Sequence, residues 1–285
     1  MNLDFKDVSY TYQPNTPLEN RALEDINLSI RKGSFTCVAG RTGSGKSTMV
    51  QLINGLLRPT QGEIVAGDFS LTQGKNKSIK ELRKQVAMVF QYPEHQLFEE
   101  TVKKELIFGP KNFGIKVTDS QIEQVVKAVG LSSELLDRSP FELSGGQKRR
   151  VAIASALILD PSVLILDEPT AGLDPTGQRQ LMDLFQILQS QGKTIIMITH
   201  HMEHVLRAAD QLIIFDQGRI AVQGKPIEVF SDQEVLRKSG LQPPDEFLFL
   251  DELKKQFDID IPYKGQTLDE LVSEVVKAIK LRDLS

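Results

Sequence analysis

Residues 40–47 carry the residue types that proteins use to hold phosphate groups. They read Gly-Arg-Thr-Gly-Ser-Gly-Lys-Ser, which fits the spacing G-x-x-x-x-G-K-S, and a strand-like run at 35–39 and a helix-like run at 49–53 flank them. In that arrangement backbone N–H groups turn toward phosphate oxygens, Lys46 reaches the outer phosphates and Ser47 binds Mg²⁺. A glycine-rich turn, the alternative, requires neither the lysine nor the hydroxyl. The expected nucleotide contacts are Gly40, Arg41, Thr42, Gly43, Ser44, Gly45, Lys46, Ser47 and Thr48.

Two adjacent carboxylates, Asp167 and Glu168, follow the apolar run at residues 163–166. A strand that ends in two acids suits phosphate chemistry, because one carboxylate can bind Mg²⁺ while the next is aimed at a water molecule. An acidic pair exposed at a strand end is the alternative interpretation. Since a phosphate-binding pattern lies in the same chain, the sequence favours the catalytic interpretation.

The elements that must position these residues are visible as hydrophobic periodicity. Strand-like runs recur at residues 3–12, 26–30, 34–39, 86–90, 163–166, 194–199 and 212–215. Helical spacing appears at Ile122, Val125, Val126 and Val129, and again at Leu181, Leu184, Phe185 and Leu188. Because strands alternate with helices, the pattern predicts an α/β fold with a parallel sheet. Residues 95–160 are predicted to form a helical insertion in a domain spanning 1–230, and residues 231–285 a C-terminal helical appendage.

Composition argues against several classes of function and location. The 285 residues include 34 Lys and Arg, 38 Asp and Glu and one cysteine, for a net charge of −4, so no basic field draws the chain to nucleic acid. The single cysteine and the lack of a signal-peptide pattern predict a reducing cytosol. The longest near-apolar run, residues 151–159, is about half the ~20 residues that cross a bilayer. Any membrane role is therefore expected to act through a partner.

A second anion-binding pattern lies between the phosphate loop and the carboxylates. Residues 143–147 read Leu-Ser-Gly-Gly-Gln and open a helix for which Ser144 is the predicted N-cap. Because the chain already has one phosphate loop, this helix start is expected to serve another chain's nucleotide. The order of phosphate loop, Gln91, residues 143–147, Asp167-Glu168, residues 171–174 and Thr199-His200 resembles the ATP-binding-cassette ATPases over about residues 1–230.

This resemblance implies that two cassettes pack head to tail, with each ATP between the phosphate loop of one and residues 143–147, the signature segment, of the other. Tyr12 would then stack on adenine, Gln91 would sense Mg²⁺ and the γ-phosphate, and His200 would hold the γ-phosphate. Glu168 would be the general base, and Asp174 would cross the interface. The implied signature contacts are Ser144, Gly145, Gly146 and Gln147. The implied reaction is hydrolysis of ATP to ADP and phosphate, with Mg²⁺ bound near Ser47, Gln91 and Asp167.

Two alternatives stay open at this point. Tyr10 lies two residues from Tyr12 and is a rival for the adenine. Residues 200–204 read His-His-Met-Glu-His, the H-x-x-E-H pattern of zinc proteases, in which both histidines share one helix face. Because His200 follows the apolar run at residues 194–199, we expect it to precede the helix, which disfavours zinc.

One branch of the family is more similar than the others. Residues 89–98, Val-Phe-Gln-Tyr-Pro-Glu-His-Gln-Leu-Phe, and a long loop at residues 13–21 resemble the energy-coupling factor and cobalt or nickel importers. The whole chain resembles the ATP-binding subunit usually numbered second in energy-coupling factor transporters, which import vitamins and trace metals. The resemblance implies a peripheral subunit at the cytoplasmic face of the cell membrane. The implied partners are a paralogous ATPase, a transmembrane coupling protein and interchangeable substrate-binding membrane proteins. A homodimer, a cobalt or nickel importer and a non-transport dimerisation switch are the alternatives.

Two surfaces are predicted to meet those partners. A segment with no helical or strand period is expected to form part of a groove for membrane-subunit helices. The alternative is that its residues are buried in the helical insertion. The segment comprises Tyr92, Pro93, His95, Gln96, Leu97 and Phe98. In the appendage, a capping box at residues 267–270 is predicted to open a helix. One apolar face of that helix is expected to pair two subunits. The alternative is that this face packs onto the chain's own cassette. The face carries Leu268, Leu271, Val272, Val275 and Ile279.

Overall fold

Two β-sheets form the framework of the protein. The computed structural model describes residues 1–74, 78–266 and 268–282. The strands are β1 (Leu3–Tyr12), β2 (Asn20–Ile30), β3 (Phe35–Gly40), β4 (Gln61–Ala66), β5 (Phe69–Leu71), β6 (Val86–Val89), β7 (Val163–Asp167), β8 (Thr194–Ile198), β9 (Gln211–Asp216) and β10 (Arg219–Gly224). Strands in the order β2-β1-β4-β5 make an antiparallel sheet, and strands in the order β10-β9-β3-β8-β7-β6 make a mostly parallel one.

Helices pack against the larger sheet, and further helices follow its last strand along the chain. They are α1 (Lys46–Ile53), α2 (Ile79–Gln85), α3 (Val102–Asn112), α4 (Asp119–Ala128), α5 (Gly145–Leu157), α6 (Pro175–Ser190), α7 (Met202–Ala208), α8 (Pro226–Ser231), α9 (Gln233–Lys238), α10 (Asp245–Phe257) and α11 (Leu268–Arg282). Helices α3, α4 and α5 all lie within residues 95–160, the interval predicted to be helical. Within the described residues, no helix is both long and apolar enough to span a membrane.

The central sheet brings the chemistry to one edge. Strands β9, β3, β8, β7 and β6 run parallel to one another, and in the described sheet β10 pairs with β9 in the antiparallel sense. Strands β3, β7 and β8 are buried over nearly their whole length, as expected where helices cover both faces of a parallel sheet. The carboxyl ends of parallel strands meet at one edge, which is where such sheets bind ligands. The loop after β3, the carboxylates at the end of β7 and the histidine after β8 therefore lie together.

The loop after β1 is shorter than predicted. Tyr12 pairs with Asn20 across the β1–β2 ladder, so only residues 13–19 connect the two strands. The prediction of a loop through residue 21 was therefore wrong at its C-terminal end, because polar side chains at Asn20 and Arg21 lie exposed on strand β2.

The C-terminal appendage has a small hydrophobic cluster of its own. Leu250 and Leu253 of α10 pack against Leu271 and Val275 of α11. Two residues of the face predicted to pair subunits, Leu271 and Val275, are thus covered by this chain's α10, whereas Val272 and Ile279 remain exposed; the side chain of Leu268 lies outside what the structure describes. The prediction was wrong for the two covered residues, because a two-helix unit buries one stripe of each helix internally, and it stays a prediction for Val272 and Ile279. Thr267 of the predicted capping box lies outside the described residues.

Candidate nucleotide site

The loop between β3 and α1 has a backbone that needs glycine at two positions. Gly40 has a φ of 139°, and a Cβ there would lie 2.2 Å from the Phe215 carbonyl oxygen. Gly45 has a φ of 108°, and a Cβ there would lie 2.7 Å from the Ala22 carbonyl oxygen. Both conformations are ones that L side chains avoid. The loop consequently comes close to its neighbours and turns directly into the first turn of α1.

Lys46 places its ammonium group inside this loop. Its Nζ donates to the carbonyl oxygens of Gly40 and Arg41, at 2.8 Å each. Burial lowers the pKa of Lys46, although the charges of Glu168 and Asp167 act in the opposite direction. The ammonium group is therefore close enough to the carboxylates at the end of β7 to feel their field. One cation and two carboxylates share the site.

Hard oxygen donors from two elements meet beside the loop. The Ser47 hydroxyl lies 3.5 Å from Asp167 Oδ2, at the boundary of hydrogen bonding. Burial, and secondarily the charge of Glu168, raise the pKa of Asp167. In the described part of the chain, two buried oxygens here, Ser44 Oγ and Glu168 Oε2, have no hydrogen-bond partner. The Ser47 hydroxyl with the Asp167 carboxylate fits a small divalent cation, and the unsatisfied hydroxyl of Ser44 within the loop fits a phosphate group.

Glu168 is held by the neighbouring strand and by a histidine. Its backbone N–H donates to the Ile198 carbonyl oxygen at 3.0 Å, and its Oε1 lies 2.9 Å from His200 Nδ1. Its φ of 49° places a non-glycine residue in the left-handed region, at a cost of about 1–3 kcal/mol. Such strain is maintained where the surroundings dictate the conformation, and it clusters at functional sites. Glu168 and His200, predicted from separate parts of the sequence, are thus in direct contact.

An open cavity of about 400 Å³ lies on the other side of the loop. Tyr12, and not Tyr10, lines it together with Gly45, Lys46, Ser47 and Thr48. The Tyr12 hydroxyl lies 3.2 Å from Thr48 Oγ1, and the Tyr10 ring meets the Tyr12 ring edge-on with centroids 4.7 Å apart. Tyr10 therefore supports the ring of Tyr12 from outside the cavity.

Sequence reasoning missed the other wall of this cavity. It is formed by residues of β2 and of the β9–β10 turn, namely Asn20, Arg21, Ala22, Gln217 and Gly218. The Gly218 N–H donates to the Ser44 carbonyl oxygen at 3.0 Å, which ties the turn to the phosphate loop. A local signal existed, since Asp-Gln-Gly between two strand-like runs is a turn pattern. Its contact with the loop is long-range and leaves no trace in the sequence.

The signature segment opens α5 away from this cavity. Ser144 is the N-cap, its hydroxyl accepts from the Gln147 N–H at 3.3 Å, and Gln147 Oε1 accepts from the Ser144 N–H at 3.0 Å. A Cβ on Gly145 would meet nothing within 4 Å, so this helix start is open. Asp174 caps α6 in the same way, accepting from the Gly177 N–H at 2.8 Å. The residues that line the phosphate-loop cavity include neither the signature nor Asp174.

Comparison with known proteins identifies the family. The sequence profile described as "ABC transporter" matches residues 23–171. Curated relatives include the energy-coupling factor transporter ATP-binding proteins EcfA3 of Oenococcus oeni and EcfA2 of Streptococcus agalactiae. Each is 48% identical, and the matches cover 99% and 98% of this chain and 98% and 99% of the relatives. The chain belongs to the energy-coupling factor ATP-binding proteins of the ABC transporter family. The resemblance drawn from the motifs is confirmed.

Solved structures agree with this assignment. The cbiO1 protein of Clostridium perfringens, described as part of an ABC transporter complex, is 37% identical with a TM-score of 0.72, over 87% of this chain and 98% of that one. A dimeric ATP-binding cassette, MJ0796, bound to ADP and Pi is 27% identical with a TM-score of 0.71, over 79% of this chain and 98% of that one. The fold is that of an ABC cassette, and the chain is an ATPase of the transporter type.

An ion pair with a buried arginine, also missed from the sequence, joins three motifs of the cassette. Arg149 of α5 is nearly inaccessible and donates from Nε and Nη2 to the two carboxylate oxygens of Glu94, at 3.1 and 2.8 Å. It also donates to the Ala171 carbonyl oxygen. Burial acts to raise the pKa of Glu94. The hydrogen bond from Arg149 and the positive charge of its guanidinium outweigh burial, so the pKa of Glu94 is lowered overall. The pair connects the signature helix to the segment after Gln91 and to the residues before Asp174.

The segment after Gln91 is only partly exposed. Gln91 itself is exposed two residues beyond the end of β6, as are Tyr92 and Phe98, at 46% and 56%. Leu97 and Pro93 are buried, with Leu97 in the main core cluster. The prediction that all six residues line one groove was therefore wrong for Leu97 and Pro93. A short 3-10 helix begins at Pro93 and ends at Gln96, directly before the extended Leu97, and period-based reasoning had no signal for this change of backbone.

The zinc-protease pattern is not realised on one helix. Helix α7 begins at Met202 with His201 as N-cap, so His200 precedes it while His204 lies within it. The geometry therefore follows the cassette interpretation, in which His200 belongs to the end of β8 and contacts Glu168.

The phosphate loop also touches the appendage. Gly240 follows α9 with a φ of 67°, and a Cβ there would lie 2.4 Å from Arg41 Nε. The Arg41 guanidinium therefore lies directly against the backbone of Gly240. This contact between residues 41 and 240 was not foreseen, because neither residue stands out once the motif has been matched.

Proposed function

We propose that this chain is one half of an ATPase pair that powers uptake of vitamins or trace metal ions through membrane subunits. The observation that carries the proposal is the Glu168–His200 contact beside the Lys46 and Ser47 loop, on the edge of the sheet where ligands bind. The transporter class comes from the energy-coupling factor relatives.

ATP would occupy the cavity with its adenine on Tyr12 and its phosphates against the loop backbone. The expected loop contacts are Gly40, Arg41, Thr42, Gly43, Ser44, Gly45, Lys46, Ser47 and Thr48. The Lys46 ammonium group would offset charge on the outer phosphates. Glu168 would accept a proton from the attacking water and His200 would hold the γ-phosphate.

Ser47, Asp167 and Gln91 would hold Mg²⁺. When bound, Mg²⁺ neutralises part of the charge on the phosphate oxygens. The Ser47 hydroxyl and the Asp167 carboxylate supply oxygen donors, and Gln91 follows the adjacent strand β6.

The signature would act on the nucleotide of a second cassette. Its helix start is open and lies outside this chain's own cavity, so a partner must bring the two together. An exposed helix N-terminus attracts anions, which suits a γ-phosphate. Ser144, Gly145, Gly146 and Gln147 would contact the partner's ATP, and Asp174 would lie at the interface. The MJ0796 cassette is dimeric with ADP and Pi bound.

The partners we propose are a paralogous ATPase, a transmembrane coupling protein and substrate-binding membrane proteins, at the cytoplasmic face of the cell membrane. A homodimer is the competing assembly. The test is purification of the intact complex from the native membrane with every subunit identified by mass spectrometry, alongside phosphate release by that complex. A second ATPase and a multi-span membrane protein in fixed ratio are expected. Phosphate release by a complex that holds no membrane protein would contradict the transport assignment.

The exposed aromatic residues after Gln91 are expected to bind the membrane subunit. Phe98 packs edge-on against Phe108 with centroids 4.8 Å apart, and Phe98 and Tyr92 remain about half exposed. Replacing both by Asp (Tyr92→Asp with Phe98→Asp) should release the chain from native membranes, because charge is costly to bury in an apolar groove. ATP affinity should not change. Flotation of the membranes measures the first quantity and nucleotide titration the second.

The matched control is Ile115→Asp, which puts the same charge on another exposed apolar residue of the helical region. It should leave flotation intact. If the double variant stayed on the membranes, or lost ATP binding, the docking role of this segment would be wrong.

The exposed half of α11 is expected to contribute to subunit pairing. Val272, Val276 and Ile279 are 52%, 44% and 36% exposed, although the helix already packs Leu271 and Val275 on α10. Val276→Lys should lower the dimer fraction without nucleotide, because a buried unpaired charge opposes association. Sedimentation velocity measures it, and Ser273→Lys adds the same charge beside the stripe. An equal dimer fraction in both variants would show that this face does not pair subunits.

A further inference from the structure

His200 is a catalytic candidate whose ring is held from two sides. Its side chain is 65% exposed, so solvent alone would leave the ring free to rotate. One constraint is the 2.9 Å contact from Nδ1 to Glu168. The other is the ring of His201, whose centroid lies 4.2 Å away at an interplanar angle of 34°.

His201 is itself fixed by its surroundings. It is the N-cap residue of α7, and its backbone N–H donates to Thr199 Oγ1 at 3.1 Å. Its half-buried ring contacts the ring of His204, with centroids 5.1 Å apart. The three rings thus run from an exposed side chain at the catalytic edge to a half-buried one inside α7.

The two inner rings contribute ring contacts and little positive charge. Burial, and secondarily the charge of His200, lower the pKa of His201. Burial likewise lowers the pKa of His204, to about 4. Both rings are therefore neutral near pH 7, and they offer a flat polarisable surface instead of a competing cation.

We propose that His201 is a positioning residue that holds the His200 ring in the orientation that meets Glu168. The inference rests on the proposed role of His200 in hydrolysis. Pre-orientation of a catalytic group lowers the barrier without changing ground-state binding of the substrate. Loss of the His201 ring should therefore affect turnover and spare nucleotide affinity.

The test compares four single variants and one double variant in the assembled ATPase. His201→Ala should lower kcat about two- to tenfold, the range expected from one lost aromatic contact, with KM for ATP within about twofold. His201→Phe keeps a flat ring and should restore most of kcat. Glu203→Gln, an exposed change on the same helix, should match the parent. Unchanged kcat in His201→Ala, or failure of Phe to restore it, would overturn the proposal.

The fourth variant, His200→Ala, separates this proposal from the function it rests on. In its background His201→Ala should have no further effect on residual turnover, because a positioning residue acts only through the group it positions. An equal loss in both backgrounds would show that His201 has a structural role alone. Full turnover by His200→Ala itself would refute the proposed role of His200 in hydrolysis, on which this inference rests.

Discussion

Glu168→Gln should leave ATP binding intact and reduce turnover at least about 10²-fold, because general-base assistance supplies about 10²–10⁴ and an amide cannot accept the proton. The side chain is nearly isosteric, so the contact with His200 Nδ1 can persist. The strained backbone at φ 49° is also unchanged by the substitution. Because unhydrolysed ATP would remain bound, the variant should also favour the nucleotide-bound dimer.

Single-turnover phosphate release measures the chemical step, and equilibrium titration measures binding. Glu123→Gln removes a different exposed carboxylate, on α4, and should match the parent in both assays. Hydrolysis by Glu168→Gln near the parental rate would remove Glu168 as the base. Nucleotide-dependent dimerisation without phosphate release by the parent chain would instead favour the alternative in which nucleotide serves only as a dimerisation switch.

The central sheet could be predicted because its signal is local. Buried parallel strands require continuous apolar runs, and the runs at residues 163–166 and 194–199 coincide with β7 and β8 to within a residue. Strand β1 spans residues 3–12, as predicted. The start of β2 was misplaced because Asn20 and Arg21 are polar, and an exposed ladder position carries no hydrophobic period.

The site likewise has a part that local sequence predicts and a part that it does not. The phosphate loop is contiguous in sequence, so its residue types and spacing describe it almost completely. Glu168 and His200 come from adjacent strands, and strand order predicts their proximity but not the contact through Nδ1. The Arg149–Glu94 pair spans 55 residues, and neither member differs in the sequence from an exposed charge.

Leu97 illustrates most clearly what the sequence could not predict. In a segment without period, an apolar residue can face the core or a partner, and only the packed structure decides between them. The packed structure places Leu97 in the core and leaves Phe98 exposed, so these adjacent residues have opposite environments. A variant that changed Leu97 to Asp would have tested core stability instead of membrane docking.

Lys46→Ala should abolish measurable ATP binding, because it removes the ammonium group from a site where charge-assisted contacts carry the affinity. The Nζ lies between the Gly40 and Arg41 carbonyl oxygens, at the centre of the loop that would hold the phosphates. Two carboxylates, Asp167 and Glu168, would then face the nucleotide without that cation, which adds repulsion to the lost attraction. Calorimetric titration with ATP and Mg²⁺ measures the effect.

Lys46→Met separates charge from packing, since it keeps an unbranched apolar stem and removes only the cation. Both variants should lose affinity to a similar degree if the ammonium group is what matters. Lys111→Ala, which removes an exposed lysine of α3, should bind ATP as the parent does. Binding by Lys46→Met within about threefold of the parent, less than 1 kcal/mol, would mean that the loop backbone alone holds the phosphates and that the lysine has another role.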